Sequence, residues 1–223
     1  MIMLDEAFPP QIKSQLKLSD GLFLDLSGEG NTITNNGATL TADHKGRANK
    51  AFAFTPGNGI VIPNSASLEF STGLTVCMSL KADAGSTNRY ILNKGDLGLN
   101  RWQILVSISS SNSIRVGLSG NGTTTELSYR STTAVTGAWF FLSLVFTPNT
   151  LKIYRNAIEV AYVKESNLPL ASLFDSNDPI IVNGYLNNGV LTASTAFECD
   201  YLLLCNRAIE LSEISQLYNE WRK

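Results

Sequence analysis

From Gly21 to Cys205 apolar residues recur at every second position, in runs broken every eight to twelve residues by Gly, Asn, Asp or Ser. Strand side chains alternate between two faces, so this period and punctuation predict short antiparallel strands stacked as a sandwich. Leu74, Val76, Met78 and Leu80 alternate with Thr75, Cys77, Ser79 and Lys81, while Trp102, Ile104, Val106 and Ile108 share one face of RWQILVSIS. Gly120-Asn121-Gly122 tolerates positive φ and joins IRVGLS to TTTELSY; Thr147-Pro148-Asn149-Thr150 joins WFFLSLVF to LKIYRN in the same way. Arg155-Asn156-Ala157-Ile158 forms a second tight turn, where a type I′ geometry would strain Ala157 by about 1 kcal/mol.

The pattern changes near the end. Phe197, Cys199, Tyr201, Leu203 and Cys205 alternate with Glu198, Asp200, Leu202 and Leu204, which predicts one strand buried on both sides after Tyr201. Beyond Arg207, Ile214, Leu217, Tyr218 and Trp221 recur at helical spacing behind Glu210 and Ser212, as expected of a short helix that closes the sandwich. Residues 1–18 differ from everything after them. They hold Met1, Ile2, Met3, Leu4, Phe8, Ile12, Leu16 and Leu18 without a strand or helix period and are interrupted by Pro9 and Pro10, so they read as an arm preceding one domain, 19–223. That many apolar groups are expected either to lie along the domain's own sheet or to dock on a neighbouring subunit, making a homo-oligomer, shell or fibre.

Composition narrows the partners. Only 16% of residues are charged and the net charge is −2 with no basic run, so the surface that neutralises nucleic-acid phosphates is missing. No stretch approaches the ~20 apolar residues of a membrane span. The opening MIMLDEAFPPQIKSQ places acids and prolines where a secretory signal would be basic and then apolar, and predicts synthesis in the cytoplasm without export. Cys199 and Cys205 are separated by roughly 20 Å on an extended strand, too far to bridge, so buried free thiols are expected.

Five segments, in order, resemble the laminin-G-like, concanavalin A-like superfamily: SGEGNTITNNGATL, GRANKAFAFTPGNGIVIPNSASLEF, ILNKGD, TGAWFFLSLVFTPNTLKIYRNAIEV and CDYLLLCNRAIELSEISQLY. The resemblance spans about Gly21 to Tyr218 and implies an all-β jelly-roll sandwich of two antiparallel sheets with one short C-terminal helix. It places Asp200 at a structural aspartate and Trp139 at a core tryptophan. Ser79, Phe197 and Tyr201 depart from the family pattern, so its calcium and sugar sites do not transfer automatically. Asp96, Asp175, Asp178 and Asp200 are the carboxylates that could hold calcium.

Two chemistries compete. Laminarinase-type hydrolases of this fold carry three acids on one strand, because retaining cleavage needs two carboxyl groups about 5 Å apart. Here Glu198 and Asp200 are followed by Tyr201 and three leucines, so the catalytic set is incomplete. His44, the sole histidine, sits in the polar loop DHKGR and reads as a surface residue. A binding role needs an aromatic platform with amides and carboxylates at the rim. NGYLNNG offers Tyr185 with Asn183, Asn187 and Asn188; KGDLGLNRW offers Trp102 with Asp96, Asn100 and Arg101, although Trp102 has the phase of the core residues Ile104 and Val106. The expectation is a non-catalytic module binding glycans or proteins, plausible on a phage capsid or tail, with a glycoside hydrolase as the alternative.

Overall fold

The computed structural model describes residues 12–85, 87–135, 137–192 and 195–223. Met1, Ile2, Met3, Leu4, Phe8 and the Pro9-Pro10 pair lie outside the described residues. Two sheets face each other, as the alternation requires. The first runs Ile158–Glu159, Thr150–Arg155, Phe140–Thr147, Leu74–Lys81, Phe197–Cys205, Ala51–Phe54 and Thr39–Thr41, with Leu16–Ser19 also paired to Phe197–Cys205. The second runs Tyr162–Asn167, Leu127–Ala134, Ser113–Leu118, Arg101–Ile108, Arg89–Asp96, Ile180–Val182, Gly59–Ile62 and Thr34–Asn36. A small hairpin, Tyr185–Asn187 with Val190–Thr192, hangs on the Arg89–Asp96 strand where Leu186 lies opposite Asp96.

Leu74, Val76, Met78 and Leu80 face Ile104, Val106, Ile108, Val116 and Leu118 across the sandwich in one contiguous core. Each such side chain contributes roughly 1.5–3 kcal/mol of transfer free energy. Both hairpins expected from the turn residues form, with Thr147 opposite Thr150 and Leu118 opposite Leu127. Asn156 and Ala157 both have positive φ, 53° and 62°, so the Arg155–Ile158 turn has the type I′ handedness and Ala157 stands where glycine is easier.

Two bulges displace side chains from their expected faces. Cys199 lies opposite Leu80 but Tyr201 lies opposite Ser79, which leaves Asp200 as an extra residue. An inserted residue shifts the phase of everything after it. Phe197 and Cys199 therefore share the inner core with Leu202 and Leu204, whereas Tyr201, Leu203 and Cys205 turn outward, and the single face expected for the five odd-numbered residues is split. Similarly, Lys94 pairs with Ile104 and Gly95 with Trp102, so Gln103 is skipped. Trp102 is carried off the face of Ile104 and packs over Gly117, 6% exposed.

The C-terminal helix, Leu211–Arg222, packs its apolar stripe against the sandwich as expected, covering the outer face of the first sheet. Ile214, Leu217, Tyr218 and Trp221 pack on Phe141, Val145, Leu203, Cys77 and Cys205, a second apolar layer that buries the face of Leu74–Lys81 carrying Thr75, Cys77 and Ser79. The helix start is tied by the Glu210 N–H donating to Glu213 Oε2 at 2.9 Å, with Arg207 forked onto the same carboxylate. Within the arm, Leu16–Ser19 is a strand whose Leu16 and Leu18 are buried, and Ile12 packs against the second layer. Trp139 is half-buried and belongs to neither apolar layer.

Candidate ligand-binding sites

The first site is the rim anticipated from sequence. The Asp96 carboxylate ends its strand fully buried and accepts from Leu99 N (3.0 Å), Asn188 N (3.0 Å) and Gly189 N (2.6 Å). Burial pushes this carboxyl up, but the Gly189, Leu99 and Asn188 N–H groups outweigh it and hold it below the ordinary aspartate value. The aspartate thus joins KGDLGLNRW to NGYLNNG, far apart in the chain. The turns touch closely enough that a Cβ on Gly98 would lie 2.3 Å from Asn187 Oδ1.

The remaining rim residues divide by role. Asn183 is buried, its amide donating to Thr55 O (3.0 Å) and Asn58 O (2.8 Å), so it fastens a neighbouring turn. Trp102 lies beneath the surface against Gly117. Asn100, Arg101, Asn187 and Asn188 are exposed, with Arg101 donating to Asp178 Oδ1 at 2.9 Å. Tyr185 is half-buried and tilted against Tyr90, ring centres 4.6 Å apart. Tyr90 was missed from sequence because a tyrosine beside Ile91 and Leu92 looks like core.

The second site was not anticipated. A cleft of about 280 Å³ opens between loop 42–50 and the end of the C-terminal helix. Asp43 Oδ1 accepts from Lys45 N and Arg47 N, and Oδ2 from Arg47 Nε at 2.6 Å, which closes the loop on itself. Burial pushes the Asp43 carboxyl up, yet the Arg47 and Lys45 hydrogen bonds hold it below the ordinary value. The closed loop turns His44 inward, contrary to the expected surface histidine: its side chain is 11% exposed. His44 N donates to Asp200 Oδ2 (3.0 Å), His44 Nδ1 lies 2.6 Å from the same oxygen, and Trp221 Nε1 donates to Asp200 Oδ1 (3.1 Å). The His44 and Trp221 rings lie 4.1 Å apart. The bulge that inserts Asp200 is what frees its carboxylate for this role.

This geometry bears on catalysis and on metal. Glu198 pairs with Lys81 at 3.2 Å, while Asp200, out of phase with it, is engaged by three N–H groups or ring nitrogens. Among the described residues, no hydroxyl or other partner stands against the buried His44 Nε2. Asp43, His44 and Asp200 bring donor atoms within 4.8 Å of one another. Their carboxylate oxygens already accept hydrogen bonds, Arg47 stands beside them, and calcium asks for six to eight oxygens, so the set does not fit calcium. Asp96 and Asp178 are likewise engaged, and Asp175 is exposed.

The fold has many relatives among solved structures. The binding domain of Paraclostridial Mosquitocidal Protein 1 superposes with a TM-score of 0.74 at 14% identity, over 94% of this chain and 52% of that one. The botulinum neurotoxin serotype D ligand-binding domain, solved in complex with N-acetylneuraminic acid, gives 0.71 at 14% identity over 93% and 51%. The serotype G binding domain gives 0.69 at 16% identity over 93% and 51%. The chain therefore spans about half the length of these structures, and at such identities the likeness speaks for the fold alone. No curated protein sequence matches. The Laminin_G_3 family model, described as the concanavalin A-like lectin/glucanases superfamily, matches residues 54–215, and the chain belongs to that superfamily.

Proposed function

We propose that the chain is a non-catalytic binding module that grips a glycan or glycosylated surface through the Asp96-braced rim. The observation that carries this reading is the Tyr90–Tyr185 ring pair, together with the exposed Asn187 and Asn188 that follow Tyr185 in the same hairpin. An aromatic face takes the apolar side of a sugar ring, and rigid amides take its hydroxyls. Asp96 removes the entropy cost of ordering those turns on binding. The fold's likeness to a binding domain solved with N-acetylneuraminic acid supports the same reading.

The setting that goes with it is a virion surface, capsid or tail, with residues 1–18 mediating assembly. Three buried free thiols and a weakly charged, Ser/Thr/Asn-rich surface suit a protein built in the cytoplasm and displayed after lysis. Screening the chain on a glycan array tests the binding role. Retention of at least one glycan class is expected, weakened at least tenfold in Tyr185→Ala with melting temperature preserved. A chain that retains nothing, or a Tyr185→Ala variant that binds equally well, overturns the rim assignment.

A further inference from the structure

The geometry points to a covalent modification within the second sheet: Lys94 and Asn64 condense into an intramolecular isopeptide bond. This goes beyond the binding role and does not rest on it.

Placement is the first argument. Lys94 lies in register with Ile104 on one side and Ile180 on the other, so its side chain shares the core face of those two isoleucines. Asn64 follows the strand Gly59–Ile62, whose Ile62 pairs with the same Ile180. Lys94 is fully buried, and its Nζ donates to Asn64 Oδ1 at 2.6 Å and to Asp178 O at 3.3 Å. An ammonium can only donate, so the Asn64 atom facing it is the oxygen. That oxygen is about 1.2 Å from Cγ, which puts Nζ within about 3.8 Å of the carbonyl carbon. The amine and the carbon it would attack are thus close to a reacting pair.

Charge is the second argument. Lys13, Lys81 and Lys152 have acidic partners, whereas Lys94 has no carboxylate within ion-pair distance among the described residues. A buried cation without a counter-charge is costly, and an amide link removes the charge altogether. Burial pulls the Lys94 amine down to about 8, against the opposing charges of Asp175, Glu69 and Asp178. At pH 7 about a tenth of it is then uncharged and nucleophilic.

The step balances without a co-reactant. The ammonium first sheds a proton to solvent or to one of those three carboxylates. The Nζ lone pair then adds to Asn64 Cγ, one remaining Nζ proton passes to Nδ2, the Cγ–Nδ2 bond breaks, and ammonia leaves. Among the described residues no hydrogen bond holds Asn64 Nδ2, and Asn64 lines a groove of about 370 Å³ through which ammonia can depart. All three cysteines are free, so no disulfide braces the fold. A bond between positions 30 apart would restrict the unfolded chain as a disulfide does.

Intact-mass spectrometry with tryptic mapping tests this. The purified chain is expected to be lighter by one ammonia than its sequence requires, and to yield a branched peptide joining 51–81 to 90–101. Lys94→Arg and Asn64→Ala should each abolish the ammonia loss and the branched peptide, and should lower the melting temperature. Full mass in the native chain, with cleavage after Lys94 and a separate 51–81 peptide, overturns the proposal. Ammonia loss that persists in Lys94→Arg belongs to a succinimide at an Asn-Gly pair such as Asn188-Gly189, and overturns it as well. The branched peptide is read from the native chain, so it decides the matter even where a variant fails to fold.

Discussion

Asp200 shows how one residue can carry more structure than its neighbourhood in the sequence suggests. Its carboxylate is 6% exposed as a residue and accepts from a loop, an imidazole and the helix-borne Trp221. Truncating it leaves buried donors unanswered, so Asp200→Ala should cost about 2–4 kcal/mol, measured by urea unfolding. Glu198→Ala, two positions away, should cost under about 1 kcal/mol because its Lys81 pair is partly exposed. The sequence could not separate these two acids, since the alternation reads the same with or without the bulge; the inserted residue is a property of pairing with Leu74–Lys81. His44 was opaque for a related reason: its loop is polar throughout, and only Asp43 folding it back turns the ring inward. Ala157 was legible, because a two-residue turn between strands dictates its φ. Ala157→Gly should stabilise by no more than about 0.5 kcal/mol, because the unfolded-state entropy of glycine offsets most of the roughly 1 kcal/mol of relieved strain. Titration adds a further expectation. Asp25, Asp43 and Asp96 have folded values below their ordinary 3.8, so they stabilise the fold above that value and lose the contribution as pH falls through the folded values. Stability should be nearly flat from pH 7 to 5 and fall below about pH 4, and Asp96→Asn should flatten that acid limb while lowering the plateau.

At the scale of elements, the C-terminal helix divides the chain's thiols into two environments. Cys77 and Cys205 lie under the helix, whereas Cys199 lies in the inner core. Burial pushes the Cys77 and Cys205 thiols up to about 12 and Cys199 further, so all three should resist thiol reagents in the native chain. Ile214 is fully buried on the helix's inner stripe, and Ile214→Ala should cost about 2–4 kcal/mol. Its more telling effect is on labelling: as the helix loosens, Cys77 and Cys205 should react well before Cys199, followed by mass spectrometry. Simultaneous exposure of all three would mean that the helix and the sandwich unfold as one unit. The existence of the helix was plain from Ile214, Leu217, Tyr218 and Trp221, but which surface it covers was not. An apolar stripe states that something is buried beneath it, and only the outward turn of Tyr201, Leu203 and Cys205 after the bulge supplies that something.

For the whole molecule, the fold was legible because sandwich architecture depends on alternation and turn chemistry summed over many strands, which tolerates local errors of phase. Individual side-chain placements depend on single phases and were less legible: Trp102 and Asn183 are buried, and neither the Tyr90–Tyr185 contact nor the inward turn of His44 could be read from the alternation. The same reasoning bears on catalysis, where Glu198 and Asp200 have separate partners; reducing-end assays on a β-glucan panel should stay at background, and turnover abolished by Glu198→Gln would restore the hydrolase. The arm poses the last question at this scale, because it combines two different segments. Leu16 and Leu18 are buried and pair, through their strand, with Leu204 and Leu202. Removing residues 1–18 therefore strips two core leucines, about 3–6 kcal/mol at 1.5–3 each, enough to unfold a marginally stable domain. Removing residues 1–11 leaves that strand and Ile12 in place, so the described core keeps all of its side chains. If the arm mediates assembly, this shorter deletion alone should lower the mass seen by light scattering or abolish incorporation into particles. Unchanged assembly after removal of residues 1–11 would instead assign the arm's contribution to the paired strand and leave the first eleven residues without a role in association.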